Sequence, residues 1–207
     1  MITMTLRLAY DTVGFSCLTT VTAVCIDITW IVILRASGIY LSVTPSCNLL
    51  VTCRGVEPNH LVEMDAASGQ RMRDIPLHDI KFPWHSVQLT TGQFVVCHGF
   101  GYGSDHRVCV VGDNGEKLHS YGDQRGFDDG QLMGPHHLAV DGNSQRVFVA
   151  DYYNGRIVEL SPTLEFVRYA SERLPGRPWR LHLHQSTGQN ICLFVAPLCN
   201  RVIPIQV

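Results

Sequence analysis

Apolar residues in this chain come in short runs of four to eight, rich in β-branched and aromatic side chains and bounded by Gly, Asn, Asp, Ser or Pro. No segment sustains the 3.6-residue apolar period of an amphipathic helix, so the pattern predicts strands throughout. The runs recur. Leu61-Val62-Glu63-Met64, Val108-Cys109-Val110-Val111, Ile157-Val158-Glu159-Leu160 and Val202-Ile203-Pro204-Ile205 share one pattern, and each follows His60, Arg107, Arg156 or Arg201. Those four leading residues lie 47, 49 and 45 positions apart. A repeat of about 40–50 residues built from short β-runs is the mark of a propeller blade. The expected class is therefore all-β, a partial β-propeller of about four antiparallel blades.

Each repeat reads as an inner run, a turn, a central run, a loop and a third run. The first holds Ile39–Thr44, Asn48–Cys53 and His60–Asp65; the second His85–Thr90, Gln93–His98, Arg107–Val111 and Glu116–Tyr121. The third holds His137–Asp141, Arg146–Asp151, Arg156–Leu160 and Leu164–Tyr169; the fourth Trp179–His184, Asn190–Ala196 and Arg201–Gln206. Blade limits fall near 39–78, 79–122, 123–172 and 173–207, with 1–38 as a separate apolar segment. The fourth repeat leaves no room for an outer strand, so the chain is expected to be part of a larger propeller.

The third repeat carries a family resemblance. Gly126-Phe127, Gly130-Gln131-Leu132, Pro135-His136-His137-Leu138-Ala139-Val140-Asp141 and Val147-Phe148-Val149-Ala150-Asp151-Tyr152-Tyr153-Asn154-Gly155-Arg156-Ile157 resemble an NHL repeat. The second and fourth repeats resemble it more loosely, at Pro83-Trp84-His85 with His106-Arg107-Val108 and at Pro178-Trp179-Arg180 with Asn200-Arg201-Val202; the first keeps Asn59-His60-Leu61. The resemblance implies a propeller of the six-bladed type that binds proteins or RNA, and it covers about residues 39–207. In tripartite-motif proteins such a propeller follows a RING, a B-box and a coiled coil. No zinc-spaced Cys/His array or heptad run precedes the blades here, so ligase chemistry is not expected on this chain and substrate recognition is.

Composition narrows the partners. The 207 residues carry a net charge of −2, which gives no general attraction to nucleic acid or anionic lipid and points away from DNA. Eight cysteines show no CxxC spacing, and several lie inside apolar runs as small buried thiols, which suits a reducing, cytoplasmic setting. Residues 16–34 are strongly apolar, but Asp27 and the many Thr and β-branched residues favour buried strands or a remnant blade over a membrane helix. Membrane attachment would require residues 13–34 to span.

Four sets of residues carry candidate chemistry. Asp151 and Asn154, with Arg107, Arg156 and Arg201, are placed to tie strand ends to loops, a structural role. His85 and His137, two residues after Pro83 and Pro135, would face the central channel, where the resemblance to peptidyl-hydroxyglycine lyases implies a metal-dependent lyase or hydrolase as one alternative. His182 and His184 share a strand face, with no third ligand in view. The fourth set is a binding rim. Trp84, His136 and Trp179 each follow a proline, and with His85, His137, Arg125, Arg177 and Arg180 they would present aromatic and guanidinium groups to a peptide or to unpaired bases. No nucleophile elbow, phosphate loop or zincin motif is present, and no metal or cofactor is expected. The expected function is a non-catalytic protein-binding module, possible as the substrate-recognition part of a ubiquitin-ligase scaffold, with an RNA-binding propeller as the other alternative.

Overall fold

The structure, a computed structural model, describes residues 4–7, 18–21, 38–55, 57–101, 104–122, 124–185, 191–197 and 202–207. Among them every regular element is a β-strand. A short antiparallel pair, β1 (Met4–Arg7) and β2 (Leu18–Val21), precedes the repeats. Three four-stranded sheets follow: β3 (Gly38–Val43), β4 (Leu49–Arg54), β5 (His60–Met64) and β6 (Arg71–Pro76); then β7 (Pro83–Gln88), β8 (Phe94–His98), β9 (Arg107–Val111) and β10 (Lys117–Tyr121); then β11 (Pro135–Val140), β12 (Val147–Asp151), β13 (Arg156–Leu160) and β14 (Phe166–Ser171). The fourth sheet has three strands, β15 (Pro178–Gln185), β16 (Ile191–Pro197) and β17 (Ile203–Gln206). Each sheet is an antiparallel meander in sequence order, and together the four make a four-bladed β-propeller arrangement.

The first strand of each blade lies innermost. β7 packs against β3 and β11, and β11 against β15. In the second and third blades the middle strands are apolar on both faces because a neighbouring blade covers each side. In β8, Val95 and Cys97 enter the core shared with the third blade, whereas Phe94 and Val96 enter the core shared with the first. β12 repeats the device, with Val147 and Val149 facing the second blade and Phe148 and Ala150 the fourth. A half-exposed sheet would alternate apolar and polar residues; these strands read as continuous apolar runs because blade stacking removes the solvent face.

Two strand expectations change. β6 has no counterpart in the sequence reading, because its Arg71-Met72-Arg73-Asp74 stretch is polar and largely exposed and looks like loop; it pairs with β5 through Leu61–Ile75 and Glu63–Arg73. The inner strands also begin earlier than expected, at Pro83, Pro135 and Pro178, since a proline at the first strand position removes no needed ladder donor. Within 1–38 only β1, β2 and Gly38 are described, so the expectation of buried strands over 16–34 and that of a span over 13–34 lie largely outside the described residues. Among the described residues no helix is long and apolar enough to cross a membrane.

Candidate functional site

The residue after each inner-strand proline sits in a β-bulge. The ladders pair Pro83 with His98 and His85 with Cys97, Pro135 with Asp151 and His137 with Ala150, Pro178 with Pro197 and Arg180 with Ala196. Trp84, His136 and Trp179 are the extra residues left without a partner, and a bulge re-aims the side chain that it frees. Here it sends all three to the same end of the inner strands. The His136 ring lies 4.4 Å from the Trp84 ring and 3.8 Å from the Trp179 ring, both at 32°, so one imidazole is layered between two indoles from neighbouring blades. Tyr40 of the first blade joins at 5.6 Å from Trp84, and Tyr152 at 5.5 Å from Trp179.

Three guanidinium groups border this aromatic cluster. Arg54 lies 4.2 Å from the Trp84 ring centre, Arg177 lies 5.6 Å and 5.0 Å from the Tyr152 and Tyr153 rings, and Arg180 lies 6.0 Å from Tyr40. These are cation–π distances. Burial, then the charges of Arg180 and Arg54, pushes the His136 pKa down to about 4, so its ring is neutral at pH 7. His136 is 4% exposed, and neither ring nitrogen has a hydrogen-bond partner. Trp84 is fixed by its indole N–H, which donates to the Gly99 carbonyl at 2.9 Å. Gly99 has a φ of 114°, and a Cβ there would run into the Asp105 carbonyl. Arg125 lies on the loop before β11, where its backbone bridges to Leu132.

His85 and His137 point the other way, into the channel. Their rings stack at 3.7 Å and 21°. Nδ1 of His85 accepts the Leu138 N–H at 3.3 Å, and its Nε2 lies 3.3 Å from the Leu41 carbonyl, which fixes the Nε2–H tautomer. Nδ1 of His137 accepts the Leu181 N–H at 3.4 Å. Each histidine therefore fastens its own blade to the next. With both nitrogens committed, His85 has no lone pair left for a metal, and the two-histidine ligand pair is not formed. Burial lowers the His85 pKa to about 3 and pushes that of His137 well below the ordinary imidazole value. The cleft that they line, about 230 Å³, is walled largely by aliphatic side chains such as Leu41, Val87, Leu138 and Leu181, with Ser42 and His182 also on its wall. His182 and His184 are exposed, and among the described residues no group of three or more His, Cys, Asp or Glu is placed to hold a metal ion.

The third blade is locked as its motif suggests. The Asp151 carboxylate is wholly buried and accepts from Met133 N–H at 2.7 Å, Asn154 at 2.7 Å and Arg156 Nε at 2.8 Å. Arg156 also donates to the carbonyls of Phe127 at 3.0 Å and Gln131 at 2.8 Å, which clamps the loop before β11. In the second blade His98 stands opposite Arg107 where Asp151 stands opposite Arg156, and Arg107 pairs with Asp105 at 3.5 Å instead. Arg201 lies outside the described residues. A repeated group that the sequence reading missed is the third-strand glutamate: Glu159 pairs with Arg146 and Arg168, and Glu63 with Arg73.

Residues 132–160 match the NHL repeat family. The NHL match lies within the third blade. The match runs from the loop before β11 to the end of β13 and contains the Asp151–Asn154–Arg156 lock. No curated protein sequence matches the chain. Solved structures do share its fold. The hydrazine synthase of Kuenenia stuttgartiensis superposes with a TM-score of 0.61 at 13% identity, over 81% of this chain and 58% of that one. Virginiamycin B lyase from Staphylococcus aureus gives 0.54 at 9% identity, over 93% and 60%. The Myceliophteria thermophila Cps50 (Swd1) β-propeller domain gives 0.52 at 14%, over 84% and 59%. At such identities the likeness is one of fold alone, and this chain spans about three-fifths of each of those chains.

Proposed function

We propose that this chain is a non-catalytic interaction module whose binding surface for protein partners is the aromatic–arginine mouth of the propeller. The observation that carries the reading is the repeated bulge, which turns Trp84 and Trp179 onto one end of the blades beside Tyr40, with the buried His136 ring between them. Aromatic and arginine side chains are the usual anchors of protein interfaces. A protein partner is favoured over RNA by the net charge of −2 and by the indoles, which already stack on His136 and Arg54 and offer little free ring face to bases. A lyase reading is disfavoured by the hydrogen bonds that occupy His85. If the blades belong to a longer tripartite-motif scaffold, this mouth is its substrate-recognition end, working in the cytoplasm.

The test is partner capture by the native protein and by the Arg177→Ala, Trp179→Ala double variant. Loss of two interface anchors at about 2 kcal/mol each is expected to weaken capture at least tenfold, with the circular-dichroism spectrum of the native fold retained. Undiminished capture contradicts the assignment. Filter binding to poly(U) separates the rival: steep, salt-sensitive RNA affinity supports the RNA reading.

A further inference from the structure

Beside the mouth, between the first and second blades, lies a pocket of about 310 Å³. Phe82, Trp84 and Phe100 form its aromatic side, and Arg54, Lys81 and Glu57 supply its charges. Phe82 and Phe100 are 46% and 54% exposed, side by side at the pocket. Their rings are 6.2 Å apart at 51°, and Phe100 lies 5.8 Å from Trp84 at 54°, so the three rings make a tilted cup.

Phe82 is held there against its backbone preference. Its φ is 53°, in the left-handed region, and it directly precedes Pro83. A bulky residue pays strain in that conformation, and strain of this kind concentrates at binding and catalytic sites. The Phe82 carbonyl accepts the Gly99 N–H at 3.2 Å, which ties the strained residue to the glycine that also holds Trp84. The chain thus keeps an exposed phenyl ring in a costly geometry at the lip of a cavity.

The lining selects the occupant. A nucleobase needs a flat face and edge partners. The Trp84 indole is already in contact with Arg54 and His136. Asn59, the lining side-chain amide, is committed to the Gly55 N–H at 3.0 Å and the Ile80 carbonyl at 3.1 Å. A tilted aromatic cup accepts a single aromatic side chain edge-on, which is the preferred geometry of such rings. Two cations against one carboxylate at the lip favour negative charge next to it. We infer that this pocket seats an aromatic side chain flanked by carboxylates, on an acidic peptide segment of a protein partner. The inference deepens the interaction reading above and rests on it.

The probe is the peptide acetyl-Asp-Asp-Phe-Asp-Asp-amide, followed through the amide and indole signals of the ¹⁵N-labelled chain. Binding is expected to shift the Phe82, Phe100 and Trp84 indole signals, at least tenfold more tightly than the counterparts with Ala for Phe or Lys for Asp. Phe82→Gly removes the ring and tolerates the positive φ. It is expected to raise the melting temperature and abolish the shifts, which separates lost binding from lost folding. Lys81→Glu is expected to weaken binding severalfold. No shift at about 5 mM peptide, beyond even millimolar affinity, overturns the inference. So does an equal response to the Ala or Lys peptide, native binding by Phe82→Gly, or a response to uridine monophosphate alone. The Arg177→Ala, Trp179→Ala variant keeps the two readings apart: if it loses protein capture while the peptide never binds, the mouth stands and the pocket falls.

Discussion

His136 is the residue on which the mouth turns. Its imidazole is apolar in use: layered between two indoles, without a hydrogen bond, and neutral at pH 7. Protonation would place an unsolvated charge beside Arg54 and Arg180, which already depress its pKa. His85 and His98, with pKa values lowered by burial to about 3 and about 4, share this behaviour. All three folded values lie below the free imidazole value of about 6.5. The unfolded chain therefore takes up protons first, and stability present above pH 6.5 is lost as the pH falls toward 4. Calorimetry between pH 7.5 and 4.5 should show the melting temperature dropping, and His136→Phe, which keeps the stack and removes the titration, should flatten that drop. An unchanged slope would show that His136 is not a contributor. At this scale Trp84, His136 and Trp179 were legible because each follows a proline. Tyr40, Tyr152 and Arg54 were not: Tyr40 lies in a regular ladder opposite Thr52 with no proline before it, and only the curvature of the blades brings it to the others.

Elements differ in how plainly the sequence announces them. The second and third strands were legible because both faces are buried, as in β8 and β12. The outer strand β6 was not, because its exposed residues need only a paired backbone. The bulges were invisible as well, since a bulge is defined by the partner strand. Loops depend on side chains that reach back into the blade, and Arg156 is the clearest case. It ties the 126–134 loop to β12 and β13 through Asp151, Phe127 and Gln131. Arg156→Ala leaves the Asp151 carboxylate buried without its counter-charge, and denaturant unfolding should report a loss of about 3–5 kcal/mol. Arg156→Lys should recover only part of it, because one ammonium cannot span the carboxylate and two carbonyls at once. The equivalent change at Arg107, whose side chain is 23% exposed and whose pair with the exposed Asp105 is long at 3.5 Å, should cost less than that at Arg156. Buried thiols belong to the same strands: burial raises Cys53 to about 12 and Cys109 to about 11, so they act as small apolar groups and not as nucleophiles.

For the molecule as a whole, four blades converge so that one rim end carries rings and guanidinium groups while histidine-to-backbone bonds tie neighbouring blades together along the channel below. Under the proposed function, recognition sits at the mouth and rigidity in the channel. The blade count followed from the repeat spacing and the NHL match of the third blade from its motif residues, whereas the pairing of rings across blades required the fold. The most direct test is site-specific photo-crosslinking in cells, with p-benzoylphenylalanine in place of Trp179 at the mouth or of Asn143, which is exposed on the β11–β12 turn at the opposite end of the strands. Protein adducts formed from position 179 and absent from position 143 are the predicted result. Adducts from position 143 alone, or RNA in place of protein at position 179, would contradict it.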